Sequence, residues 1–203
     1  MTLLIVLVTI LISFAAFNNP TLKSKLIFNA YLVAQRKQWY RMFSYGFIHA
    51  DWIHLAFNML ALYSFGNIVA SYYTYYFGFT EGNLFFIFLY MSCLFLATVA
   101  DLLKHKTNHW YNALGASGAV SGVLFASILI DPWISITIFP IPLPVPGLIF
   151  GPLFLIFSQY MAKKGGDNIG HNAHFYGAVS GVVLSILIRP VLFTEFIEKI
   201  QNH

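Results

Sequence analysis

The chain has 203 residues, of which 59% are hydrophobic and 9% charged, with a formal net charge of +4. A soluble domain carries roughly 25% charged residues, so this composition excludes a water-solvated globule and indicates an integral membrane protein. No block of like charge suggests nucleic-acid binding, and the modest cationic excess suits loops beside anionic lipid; the lone Cys93 excludes an intrachain disulfide.

A spanning helix needs about 20 mostly apolar residues. Six segments approach this: 3–17, 52–77, 83–103, 115–130, 147–162 and 172–193. The first is short and has a signal peptide as its alternative, but no charged stretch precedes its apolar run. Residues 18–51 stay aromatic (Phe28, Tyr31, Trp39, Tyr40, Phe43, Tyr45, Phe47) with Arg36, Lys37 and Arg41 interspersed, a mixture that favours the membrane interface. The fourth and fifth segments are short and rich in small residues or proline, which fits the protein-surrounded middle of a bundle. Between them, residues 132–146 alternate β-branched residues and then carry proline at every second position. That pattern predicts an extended loop, with a proline-recognising partner as the functional alternative to a plain connector. The expected architecture is all-α: one polytopic six-helix membrane domain over residues 1–203, with an interfacial segment between helices one and two.

Polar motifs open the second, fourth and sixth segments: His54 with Asn58, then Gly115-Ala116-Ser117-Gly118, then Ala173-His174 with Gly177. If all six segments span, these three begin in the same leaflet. Intramembrane polar groups are costly and usually face a site or a cavity, so the motifs are expected to meet. His54 and Asn58, four apart, share one helix face. Gly118, Gly122 and Ala126 form a small-residue stripe, as do Ala173, Gly177, Gly181 and Ser185. Such stripes let membrane helices approach closely, and plain packing would account for them by itself. It would leave a serine and a histidine beside the seam unexplained.

A serine hydroxyl needs a base to become a nucleophile, and His174 is the candidate. Ser117, near a helix N-terminus, gains from unpaired N–H groups and the positive end of the helix dipole. An oxyanion needs preorganised donors, which Asn58, His54 and the Ser117 backbone N–H can supply. No acidic residue is placed as a third triad member: Asp167 falls in a Gly-rich link, and Asp51 is better placed to orient His54. The expectation is a Ser–His dyad. A zinc site among His49, His54, His171 and His174 is the alternative, but the chain lacks a His-Glu-x-x-His, an acidic ligand within a membrane segment and a second cysteine.

These three motifs, in this order and in these helices, resemble the rhomboid intramembrane serine proteases in their compact six-helix bacterial form. The family pattern is Gly-x-Ser-Gly in the fourth helix, His-x-x-x-Asn in the second and Ala-His-x-x-Gly-x-x-x-Gly in the sixth. The resemblance covers about residues 1–193. It implies Ser117 as nucleophile, His174 as general base, and His54, Asn58 and the backbone of Gly115, Ala116 and Ser117 as the oxyanion site. It also implies His49, Gly118, Gly177 and Gly181 as structural neighbours, and an aromatic link with Trp39 and Arg41 beside the site. The fifth helix and the 163–171 loop would form a substrate gate. No cofactor or metal is implied. The partners would be transmembrane protein substrates and the bilayer, in a bacterial cell membrane. A non-proteolytic client-binding relative is the alternative, and a small transporter or channel a further one.

The sequence departs from the family in two ways. Many rhomboids stack an aromatic residue, four positions after the nucleophile, on the catalytic histidine. Here that position is Ser121, so Phe125 or Tyr176 is expected to hold the ring. The links after helices one, three and five carry nine Lys or Arg against two, Arg189 and Lys199, on the other side. The positive-inside rule would place the motif side in the cytoplasm, against the usual family topology. Five of the nine lie in the link expected to fold into the interface, so the family topology is preferred.

Overall fold

The computed structural model describes residues 1–138, 141–165 and 170–202. Helix α1 (Thr2–Phe17) is followed by α2 (Pro20–Leu26), whose first turn is closed by the Asn19 side chain accepting from Leu22 N–H at 2.9 Å, with Pro20 inside the start. Helix α3 (Ala30–Arg36) repeats the device with Asn29, then stops at Lys37 in a left-handed conformation. A four-residue α4 (Arg41–Ser44) and a 3-10 turn (Tyr45–Phe47) complete the aromatic link. Arg41 is buried there, its guanidinium donating to Ser24 O, Ile27 O and Gln38 Oε1, which ties the end of α2 to α4.

Two long helices follow, α5 (Trp52–Phe77) and α6 (Phe79–His105), joined by Gly78 at φ 84, a conformation glycine adopts without a Cβ penalty. Strand β1 (Phe28–Asn29) pairs antiparallel with β2 (Asn112–Ala113), pinning the link to the approach of α7 (Ser117–Ile130). Strands β3 (Ser135–Ile138) and β4 (Ile141–Pro146) then form an antiparallel hairpin with Ile136 opposite Val145. Helices α8 (Gly147–Lys164), α9 (His171–Ile188) and α10 (Val191–Gln201) close the chain.

All six expected segments form helices. Among the described residues, α5, α6 and α9 are long and apolar enough to cross a membrane, whereas α1 and α7 are apolar but shorter. Helix α7 is the centre of the bundle: every residue in it is buried except Ser117. Its small face meets α9 backbone to backbone. A Cβ at Gly177 would overlap the Gly118 carbonyl, and one at Gly181 would overlap that of Gly122. On its other flank α6 fits equally closely, since a Cβ at Gly122 would lie 2.5 Å from Cys93 Sγ and one at Gly118 would lie 2.7 Å from Ala97 Cβ. Lipid offers no hydrophobic drive for helix association, so contact at this range is what holds the three together.

Three departures from expectation exceed two residues or change the element. The third segment begins at Phe79 rather than 83. Residues 135–138 and 141–146 are extended but paired, with Pro144 and Pro146 on a ribbon that is two-stranded among the described residues, so their missing N–H costs no ladder bond there. The last span stops at Ile188 rather than 193. Pro190 pushes Arg189 out of the helical region (φ −142, ψ 91), and α10 starts afresh beyond it. Helix α10 is fastened by Arg189, which forks onto both Glu195 oxygens at 2.7 Å and also donates to Tyr72 Oη. Lys199 Nζ donates to Ile130 O, capping the end of α7.

Candidate active site

Ser117 is the first residue of α7, and His174 lies in the first turn of α9. The glycine seam sets these two helices at contact distance, and as a result Ser117 Oγ lies 2.8 Å from His174 Nε2. The hydroxyl is at the one end of α7 that is not sealed. Here the backbone N–H groups precede the point where intrahelical bonding begins, with Val120 N–H to Ala116 O. An imidazole nitrogen at this distance can take the hydroxyl proton, and the open N–H groups favour negative charge at the same place.

The turn before Ser117 depends on Gly115, whose φ of 110 suits glycine and whose missing side chain makes room for an imidazole. A Cβ there would lie 2.6 Å from His54 Cε1 and 2.8 Å from His54 Nε2. His54 thus packs against the chain two residues from the serine. Its Nδ1 faces Ala50 N–H at 3.5 Å, which leaves Nε2 as the N–H donor. Asn58, one turn on and buried, donates one carboxamide N–H to His54 O at 2.9 Å, and its second N–H is available.

His49 fixes the stretch of chain that leads into Ser117. Its Nε2 accepts from Ala116 N–H at 3.3 Å, its Nδ1–H donates to Ser13 Oγ at 2.9 Å, and Ser13 O–H donates to Phe47 O at 3.0 Å. This assigns one tautomer and keeps the ring neutral. Burial, reinforced by neighbouring His54, lowers its pKa from the ordinary 6.5 to about 3. Gly115 N–H in turn donates to Tyr45 O at 3.0 Å.

Several expectations are corrected by these contacts. The N–H groups of Gly115 and Ala116 are engaged by Tyr45 and His49, so those two residues shape the turn, and of the three expected backbone donors Ser117 N–H alone is unengaged among the described residues. Asp51 does not reach the His54 ring; its carboxylate accepts from His54 N–H at 2.8 Å and caps α5. Among the described residues the ring stacked on His174 is that of Phe154 of α8, at 6.2 Å and 30°, rather than Phe125 or Tyr176. Phe125 stands one layer behind, 5.7 Å from Phe154, and the Tyr176 ring pairs with Phe175. Arg41 is taken up with carbonyls of the link, and exposed Trp39 lies under Lys37 Nζ. Asp167 and residues 166–169 of the expected gate lie outside the described residues.

Phe154 and Ser13 were not singled out from the sequence. Ser13 left a signal, because Thr2, Thr9 and Ser13 interrupt an apolar helix on one buried face. Phe154 left none, being one aromatic among several in its segment. The four histidines form two pairs, His49–His54 at 5.0 Å and His171–His174 at 5.9 Å between ring centres. Both His49 nitrogens are hydrogen-bonded and His174 Nε2 engages Ser117, an arrangement suited to proton handling rather than to metal ligation.

Fold and site together define a polytopic helical membrane protein with a hydroxyl–imidazole pair at the open end of its central helix. Residues 36–191 match the sequence signature of the family described as Rhomboid domain, and the chain belongs to the rhomboid family. It is 30% identical over 175 residues to Rhomboid-like protein 11, chloroplastic, of Arabidopsis thaliana, covering 78% of this chain and 55% of that protein. It is 27% identical over 163 residues to RHOMBOID-like protein 12, mitochondrial, of the same plant, covering 72% and 46% respectively. The chain thus spans about half the length of the curated relatives it matches. Their names lend no support to a bacterial cell membrane. What holds is an integral membrane protein.

Proposed function

We propose that this chain is an intramembrane serine endopeptidase, acting as one membrane domain over residues 1–203 on transmembrane segments of other proteins. The observation that carries this reading is the 2.8 Å contact between Ser117 Oγ and His174 Nε2 at the unsealed end of an otherwise buried helix. Ser117 Oγ attacks the scissile carbonyl carbon while His174 Nε2 takes its proton. The oxyanion that forms is met by Ser117 N–H, the second Asn58 N–H and His54 Nε2–H. When the C–N bond breaks, His174 returns the proton to the leaving amine. A water then repeats the attack on the acyl-serine with His174 again as base. Orientation of His174 falls to Phe154, and that of the nucleophile turn to His49 and Ser13.

A helical peptide bond is shielded by its own hydrogen bonds, so substrates with small or helix-breaking residues near the cut are favoured. The chemistry requires no cofactor. The test is cleavage of a transmembrane reporter substrate by the purified chain in detergent, beside Ser117→Ala. Cleavage by the parent alone is expected. Inactivity of a folded parent against several substrates would sink the proposal in favour of a client-holding role.

A further inference from the structure

A second polar feature lies on the same side of the bundle, between the ends of three helices. It is a cleft of about 360 Å³ lined by Lys104 near the end of α6, Gln159 and Lys163 near the end of α8, and Asn172 and Tyr176 at the start of α9. Both lysines are exposed, and neither is ion-paired among the described residues. The neighbouring cation behaves differently: Lys164 lies over the Tyr160 ring. Asp101 of α6 is buried and accepts an Asn172 carboxamide N–H at 3.0 Å; among the described residues no acid lines the cleft.

An exposed, mostly apolar strip leads away from the cleft along α9. Tyr176, Val179, Val183 and Leu187 follow at helical spacing and are 41, 38, 48 and 70% exposed. We propose that the cleft binds the phosphate of an anionic phospholipid, with the headgroup between Lys104 and Lys163 and an acyl chain along this strip. Two cations at the carbonyl ends of α6 and α8 are favoured there by the helix dipoles and suit the headgroup layer. Gln159, Asn172 and Tyr176 add neutral donors for the remaining phosphate oxygens. A soluble phosphate would use the same polar groups and gain nothing from the strip. The site does not depend on the proteolytic reading, although Asn172 and Tyr176 flank His174 on α9 at two residues either side.

The test is lipid retention by the full chain in detergent, read by native mass spectrometry with phosphatidylglycerol, phosphatidylcholine and glycerol phosphate as probes. Phosphatidylglycerol is expected to bind well above the other two. Lys104→Gln with Lys163→Gln should weaken it about tenfold or more, while Lys104→Arg with Lys163→Arg retains it. Removing equal charge by Lys23→Gln with Lys25→Gln should have little effect. Equal loss in the two Gln pairs would reduce the effect to net charge and overturn the site. Equal binding of phosphatidylcholine would overturn its charge selectivity, and equal binding of glycerol phosphate would overturn the lipid assignment.

Discussion

Ser117 and His174 occupy the first turns of two helices, so their separation is set by backbone packing rather than by flexible side chains. The donors around them differ in how firmly they are held. Asn58 is anchored by its bond to His54 O, which leaves its second N–H for the proposed oxyanion role. Asn58→Ala is expected to lower kcat by about 10²–10³, typical of losing one oxyanion donor, with a smaller change in KM; a change confined to KM would remove it from that role. His49 has a different signature. Its pKa is depressed to about 3, so between pH 6.5 and 3 the unfolded chain binds a proton that the folded chain refuses. Stability supplied by the neutral ring is complete above about pH 6.5 and is lost progressively as pH falls towards 3. The melting temperature in detergent should drop over that window, and drop less in His49→Gln. Identical profiles for the two chains would show that the tether from Ser13 to Ala116 contributes nothing.

The decisive element is the α7–α9 seam. Gly181→Val would drive a branched side chain into the Gly122 carbonyl. Overpacking of this kind costs about 1–3 kcal/mol, or more where backbone must move. A fall of several degrees in melting temperature is expected together with loss of the Ser117–His174 contact, and an unchanged melting temperature would contradict the seam. Much of this was legible beforehand. Small residues at four-residue spacing marked the two faces, and the polar motifs marked which ends would meet. The stop at Pro190 was also written in the chain, but apolar residues beyond it suggested a longer span. What could not be read was the rotation of α8. Its aromatics at 150, 154 and 157 have no partner defined by periodicity, and which one faces His174 depends on how the β3–β4 hairpin delivers the helix. The engaged N–H groups of Gly115 and Ala116 were equally invisible, since their partners Tyr45 and His49 lie some 70 residues away in sequence.

At the scale of the molecule, the bundle carries its polar chemistry at one end and a mechanical fastening at the other. The fork from Arg189 to Glu195, backed by Tyr72 and Tyr76, fixes amphipathic α10 across the ends of α7 and α9. The guanidinium holds the Glu195 carboxyl below the usual carboxylate range, so the fastening is present above that range and is lost on stronger acidification. Arg189→Leu is expected to speed hydrogen exchange in α10 markedly while leaving α7 protected; unchanged exchange in α10 would assign its docking to Leu192 and the Lys199 contact with Ile130 O instead. The charge asymmetry also looks different at this scale. Arg41 is buried among carbonyls of the link, so at least one of the nine cations on the motif side is structural and carries little weight in a topology count.

The central claim, that Ser117 is a nucleophile activated by His174, is tested most directly by covalent capture. Purified chain in detergent would be treated with a fluorophosphonate probe and the adduct mapped by mass spectrometry. The predicted result is a single adduct on Ser117, absent from Ser117→Ala and strongly reduced in His174→Ala. An adduct of undiminished yield in His174→Ala, or none on Ser117 in the folded parent, would contradict the assignment.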